Sequence, residues 1–180
     1  MLIEKEDQMS TTINRHQNNS NMPNRSVYSN RNTWSGILFG LGLVGFIDEV
    51  VFHQLLHWHH FYDKSTTDIG LVSDGLFHAF SWFATIAASF LLADLHRKQA
   101  YWFKRWLGGV FLGGGVFQLY DGTIQHKLMT LHQIRYVDNV FVYDWIWNIL
   151  AIIMIIIGAT LIVRTRSTQH HGETVAHESQ

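Results

Sequence analysis

Histidines and carboxylates crowd into one short stretch of this sequence, residues 45–63, which reads GFIDEVVFHQLLHWHHFYD. They lie in and just beyond what the apolar pattern predicts to be the end of a hydrophobic helix. The chain has no cysteine, so imidazole and carboxylate groups are the main ligands left for a transition metal. A polar cluster inside an apolar segment therefore indicates a metal site or a buried polar network.

The same pattern returns later in the chain. Shifted by 73 residues, GILFGLGLVGFIDEVVFHQLLHWHH lies without a gap over GVFLGGGVFQLYDGTIQHKLMTLHQ, and the motif D-x4-H-x5-H coincides. A shift of 70 residues aligns LVSDGLFH with FVYDWIWN and matches Asp74 to Asp144. The sequence therefore predicts that its second half repeats the first as a helix pair.

Residues matched by the repeat are the first candidates for metal ligands. His53 and His126 are expected at its centre, because the repeat places them at equal depth on facing helices. Asp74 and His78 add a pair four residues apart, which share one helix face. Copper or zinc is the expected metal. The complete candidate set is His53, His126, Asp48, Asp121, Asp74, His78, His59 and His132.

Four apolar stretches must position these residues, at about 34–56, 71–95, 106–125 and 141–163. Each is near the ~20 residues that cross a bilayer as a helix, and WIWNILAIIMIIIGATLIV carries no charge over nineteen residues. The sequence predicts an all-α integral membrane four-helix bundle over residues 34–166, built from two parallel two-helix repeats. The polar segments 1–33 and 167–180 are predicted to be disordered tails.

Basic residues orient the predicted spans. Ten of the thirteen Lys and Arg residues lie in the two tails and between the second and third stretches. By the positive-inside rule, both termini are expected in the cytoplasm, with the loops at 57–70 and 127–139 outside. This predicts a multi-pass protein of a bacterial plasma membrane, with the lipid bilayer as its surroundings. The formal net charge of -1 argues against nucleic acid as a partner.

Glycines recur at the spacing that lets two membrane helices approach closely. Gly36-x3-Gly40 in the first stretch and Gly109-x3-Gly113 in the third are matched by the repeat. This spacing favours direct packing of the first helix on the third. Because each repeat contains two spans, the predicted symmetry axis runs along the membrane normal.

At D-x4-H-x5-H, at DGLFHAF (residues 74–80) and at the DG-x3-H of the third helix, the sequence resembles a family of small bacterial membrane proteins catalogued as a domain of unknown function. The resemblance covers about residues 34–165. It implies a four-helix membrane fold, and the genes of some members neighbour those of copper-handling assembly factors of terminal oxidases. A respiratory oxidase assembly is therefore an implied partner, while no catalytic residue is implied.

Three kinds of function remain open from the residues. The first is a metal-binding protein for metal handling or respiratory-complex assembly. The second is a membrane redox protein with haem b, since paired inward histidines on facing helices can ligate haem. The third is a structural subunit in which the polar residues bind only one another. Histidine boxes of membrane di-iron enzymes are only weakly matched, and an enzyme is not the favoured interpretation.

Overall fold

The computed structural model describes the backbone of residues 25–178 and the side chains of residues 26–165. All regular elements in this part of the chain are helical, which confirms the predicted all-α class. Two of the long helices continue directly into π-helical segments, labelled π1 and π2. In chain order the elements are α1 (Arg25–Asp48), π1 (Glu49–Leu55), α2 (Thr67–Arg97), α3 (Phe103–Tyr120), π2 (Asp121–Leu128) and α4 (Val140–Glu178).

Helical structure extends into both segments predicted as disordered tails. α1 begins at Arg25 rather than near residue 34, because polar contacts hold its first turns. Asn32 is buried, donates its side-chain amide to Ala100 O at 2.8 Å and accepts the Trp102 N–H at 2.8 Å. α4 continues to Glu178, and no proline interrupts it after residue 166. Residues 1–24 and 179–180 of the predicted tails lie outside the described part.

α1 and α3 form the centre of the molecule. α1 packs against α2 and α3, while α3 packs against α1 and α4. A Cβ on Gly109 would lie 3.0 Å from Gly36 Cα, and a Cβ on Gly40 or Gly113 would collide with the backbone of the opposite helix. The predicted glycine-mediated contact between the first and third helices is thus confirmed.

Large apolar side chains cover the outer faces of α2 and α4. Leu76, Phe83 and Phe90 on α2 and Ile153 and Ile156 on α4 are all exposed, as expected for surfaces that face lipid. Three helices in the described chain are long and apolar enough to cross a membrane, at Ser26–Leu55, Thr67–Arg97 and Val140–Thr165. The sequence analysis predicted four spans, and the stretch formed by α3 and π2 is the remaining one.

Candidate metal centre

Both central helices change from α to π geometry at the same motif. Asp48 ends α1 directly before π1, and Asp121 is the first residue of π2. In an α-helix, residues five apart point about 140° away from each other, whereas the i→i+5 bonding of a π-helix brings them into register. Accordingly, His126 Nε2 lies 3.1 Å from Asp121 Oδ2 and His53 Nε2 lies 3.9 Å from Asp48 Oδ2.

A left-handed turn follows each π segment. His57 and Thr130 both have a φ of about 49°, a backbone conformation that non-glycine residues seldom adopt. The turns redirect the chain, so that His59 and His132 lie against the histidines of the π segments instead of continuing outward. Strained backbone of this kind often marks functional sites.

Four buried imidazoles form a cluster, which we call the histidine cluster: His53, His59, His126 and His132. The ring centroids are 4.5 Å apart for His53 and His59, and 4.7 Å apart for His126 and His132. The pairs His53–His132 and His59–His126 are both separated by 6.1 Å. His59 and His132 stack at 4.5 Å with their planes 5° apart. All four residues are at most 5% exposed.

The protonation of two rings is fixed by backbone carbonyls. His59 Nδ1 lies 3.0 Å from Ile134 O, and His132 Nδ1 lies 2.9 Å from Phe61 O. A carbonyl can only accept, so each Nδ1 must carry the proton and each Nε2 must bear a lone pair. Both Nε2 atoms are buried without a hydrogen-bond partner. Burial, and next the neighbouring imidazoles, lower the pKa of His59 to about 2, which keeps this ring in the neutral form that metals bind.

Carboxylates surround His53 on the side away from the other half. His53 Nδ1 lies 2.8 Å from Glu49 Oε2 and 3.2 Å from Asp74 Oδ1. Asp74 also accepts the Phe61 N–H at 2.7 Å and lies 2.6 Å from His60 Nδ1. Glu49 and Asp74 are each only 1% exposed. The first half therefore brings two further buried carboxylates to the histidine cluster.

The second half differs at the matched positions. Gly122 stands where the repeat aligns Glu49, and Asp144 stands where it aligns Asp74. Asp144 lies 2.5 Å from Lys127 Nζ, so its charge is balanced by an ammonium group. The two halves thus supply similar histidines but different carboxylates.

Three groups of side chains could each hold a metal ion, because one ligand atom from every member lies within 4.8 Å of the others. The first group contains imidazoles alone, the second one carboxylate and the third two carboxylates. Every member is buried. The groups are His59, His126 and His132; Asp48, His53 and His59; and Glu49, His53 and Asp74.

Seven of the eight predicted ligands lie in or beside the histidine cluster, and His78 is the exception. Its ring packs against Phe46 at 5.4 Å. The stacked contact between the halves involves His59 and His132, where the sequence analysis expected His53 and His126 at the centre. Glu49 and His60 were absent from the candidate set. The i, i+4 spacing of Glu49 and His53 is the pattern that could have found Glu49.

Comparison with known proteins gives one match. The model of a family described as "Predicted membrane protein (DUF2243)" matches residues 35–165. This confirms the family resemblance found in the sequence. No curated protein and no solved structure matches the chain.

Proposed function

Because this chain belongs to the DUF2243 family of predicted membrane proteins, we propose that it is an integral membrane protein that binds a transition metal. The histidine cluster and its carboxylates hold the ion, which is copper or zinc. The protein serves in metal handling or in the assembly of a respiratory complex such as a terminal oxidase, rather than in catalytic turnover.

The observation that carries this proposal is the pair of free Nε2 atoms on His59 and His132. Metal-binding histidines usually donate the other ring N–H to a carbonyl or carboxylate, as both of these rings do. A buried polar atom without a partner costs ~1–3 kcal/mol. A metal ion bound by the two Nε2 atoms and by His126 would remove that cost.

The geometry favours a bare ion over haem b. A haem with two imidazole ligands needs an open slot between them for the flat porphyrin. Each ring here has another imidazole beside it, at 4.5 Å for His53 and His59 and at 4.7 Å for His126 and His132. A purely structural network is also disfavoured, because such networks normally pair their buried polar atoms, and four histidines here retain unpaired ring nitrogens.

We place the site in a four-span bundle in which α3 and π2 form the third span. α3 lies between α1 and α4 and buries Arg105, Gln118 and most of its glycines. A helix that contacts protein on two sides needs fewer apolar residues than one that faces lipid. Four spans put both termini on one side, which the basic residues assign to the cytoplasm of a bacterial plasma membrane. The histidine cluster then lies near the outer surface.

Matching local features support the proposal that the two halves are parallel repeats. The left-handed turns at His57 and Thr130 are separated by the same 73 residues as the sequence motif. So are two pairs of backbone hydrogen bonds at the ends of π1 and π2. These are Leu56 N to Val51 O at 2.9 Å and Met129 N to Ile124 O at 2.7 Å, and Trp58 N to Phe52 O and Leu131 N to Gln125 O, both at 2.9 Å.

Metal analysis of the protein purified in detergent tests this function. We expect stoichiometric copper or zinc after loading and no Soret band. The double variant His53→Gln/His126→Gln should lose metal from the centre, because it removes a basic nitrogen from each half while keeping polarity and approximate size. Protein that takes up no metal would overturn the proposal, and a Soret band would replace it with haem binding. A well-folded double variant with its full metal content would overturn this ligand set.

A further inference from the structure

A second set of ligand atoms lies beside the histidine cluster, in the first half of the chain. Glu49, His53 and Asp74 each present one such atom within 4.8 Å of the other two. We propose that these residues bind a second divalent cation, so that the centre holds two ions of different coordination chemistry. This inference rests on the proposed metal-binding function and deepens it, because His53 lies between the two sites.

The contacts of His53 have the geometry of shared ligation. Its Nδ1 lies 2.8 Å from Glu49 Oε2 and 3.2 Å from Asp74 Oδ1. Nevertheless, His53 Nδ1 and Glu49 Oε2 are both without a hydrogen-bond partner, because the ring N–H direction does not point along these lines. Two ligands of one ion, each ~2.1 Å from it, lie about 3 Å apart with their lone pairs aimed at the ion. The distances here fit that arrangement.

Buried charge gives a second, independent reason. Asp48, Glu49, Asp74 and Asp121 are at most 4% exposed. Within residues 26–165, the ion-pair partners of these four carboxylates are imidazoles. Buried carboxylates are costly unless a cation balances them. A divalent cation beside Glu49 and Asp74 would supply the missing positive charge.

The donor types predict which cation each site prefers. Three imidazoles, from His59, His126 and His132, suit copper or zinc. Two carboxylates with one imidazole form a harder set, of the kind that suits Mn²⁺. The carboxylate site should therefore accept Mn²⁺ more readily than the three-imidazole site does.

The second half provides a matched control. Gly122 replaces Glu49 there, and the Asp144 carboxylate already lies 2.5 Å from the Lys127 ammonium group. A carboxylate balanced by lysine has less electrostatic need for a metal ion. Asp144→Asn should therefore leave the number of bound ions unchanged.

Counting bound ions in purified, chelator-stripped protein tests the inference. Loaded with Zn²⁺, the protein should bind two equivalents, Glu49→Gln one and Asp144→Asn two. The double variant His59→Gln/His132→Gln should still bind one equivalent of Mn²⁺, seen by electron paramagnetic resonance. If Glu49→Gln fails to fold, Glu49→Asp keeps the charge but shortens the side chain, and its Mn²⁺ affinity should fall at least ~10-fold.

Each contrary outcome has a distinct meaning. Wild-type protein that binds a single ion, with the same stoichiometry in Glu49→Gln, would overturn the second site and leave the proposed function standing. Unchanged binding of two ions in folded Glu49→Gln, or unchanged Mn²⁺ affinity in Glu49→Asp, would also overturn it. Wild-type protein that binds no ion would overturn both the second site and the proposed function.

Discussion

His59 and His132 stack with their ring centroids 4.5 Å apart and their planes within 5° of parallel. Each ring lies in one outer loop and donates its Nδ1–H to a carbonyl of the other, His59 to Ile134 and His132 to Phe61. The two loops therefore hold each other in place while presenting the two free Nε2 atoms to the centre. This arrangement forms only when both halves of the chain are folded together.

Replacing either stacked histidine should weaken metal binding. In His59→Gln or His132→Gln a free Nε2 is lost from the three-imidazole group, and we expect Zn²⁺ affinity to fall at least ~10-fold, measured by competition with a chromogenic chelator. His78→Gln is the control, because this histidine packs against Phe46 away from the cluster. Equal losses in all three variants would show that the cluster does not bind the metal.

Close packing of α1 on α3 predicts opposite effects for two kinds of glycine substitution. In Gly40→Ala the added Cβ would collide with the Val110 backbone, and in Gly113→Ala with that of Ile37. We expect each to destabilise the protein by ~1–3 kcal/mol. Gly75 lies in a helix with nothing within 4 Å of an added Cβ, so Gly75→Ala should be neutral or stabilising by ~0.5–1 kcal/mol. Thermal unfolding in detergent measures all three, and a stable Gly40→Ala would contradict the close contact.

The first turns of α1 are expected to matter for stability in spite of their polar sequence. Asn32→Ala removes the acceptor for the Trp102 N–H and the donor to Ala100 O, so we expect a loss of ~1–3 kcal/mol. Asn30 is exposed on the same helix, and Asn30→Ala should change stability little. The comparison of the two variants by thermal unfolding checks whether this segment is part of the folded domain.

Apolar length and repeated motifs were enough to predict the helical class, the glycine contact between the first and third helices, and most residues of the cluster. The positions of His59 and His132 could not be predicted, because they depend on the π segments and on the left-handed turns at His57 and Thr130. Hydrophobic periodicity assumes α geometry throughout and contains no information on such turns.

Side-chain pairing across helices was equally hidden. Asp74 and His78 share the i, i+4 spacing of a ligand pair, but Asp74 contacts His53 and His60 while His78 packs on Phe46. The helical start at Arg25 depends on Asn32, whose partners Ala100 and Trp102 are distant in sequence. A polar composition suggests disorder only where such long-range hydrogen bonds are absent.

The number of spans can be tested with single cysteines, since the chain contains none of its own. Ser65→Cys and Asp138→Cys lie in the two loops expected outside, and Lys98→Cys lies at the end of α2; all three positions are exposed. With α3 and π2 as a span, a membrane-impermeant maleimide should label positions 65 and 138 in intact cells, and position 98 only after lysis. If α3 and π2 do not cross the bilayer, positions 98 and 138 lie on one side and label alike. That result would leave three spans and put the two termini on opposite sides of the membrane.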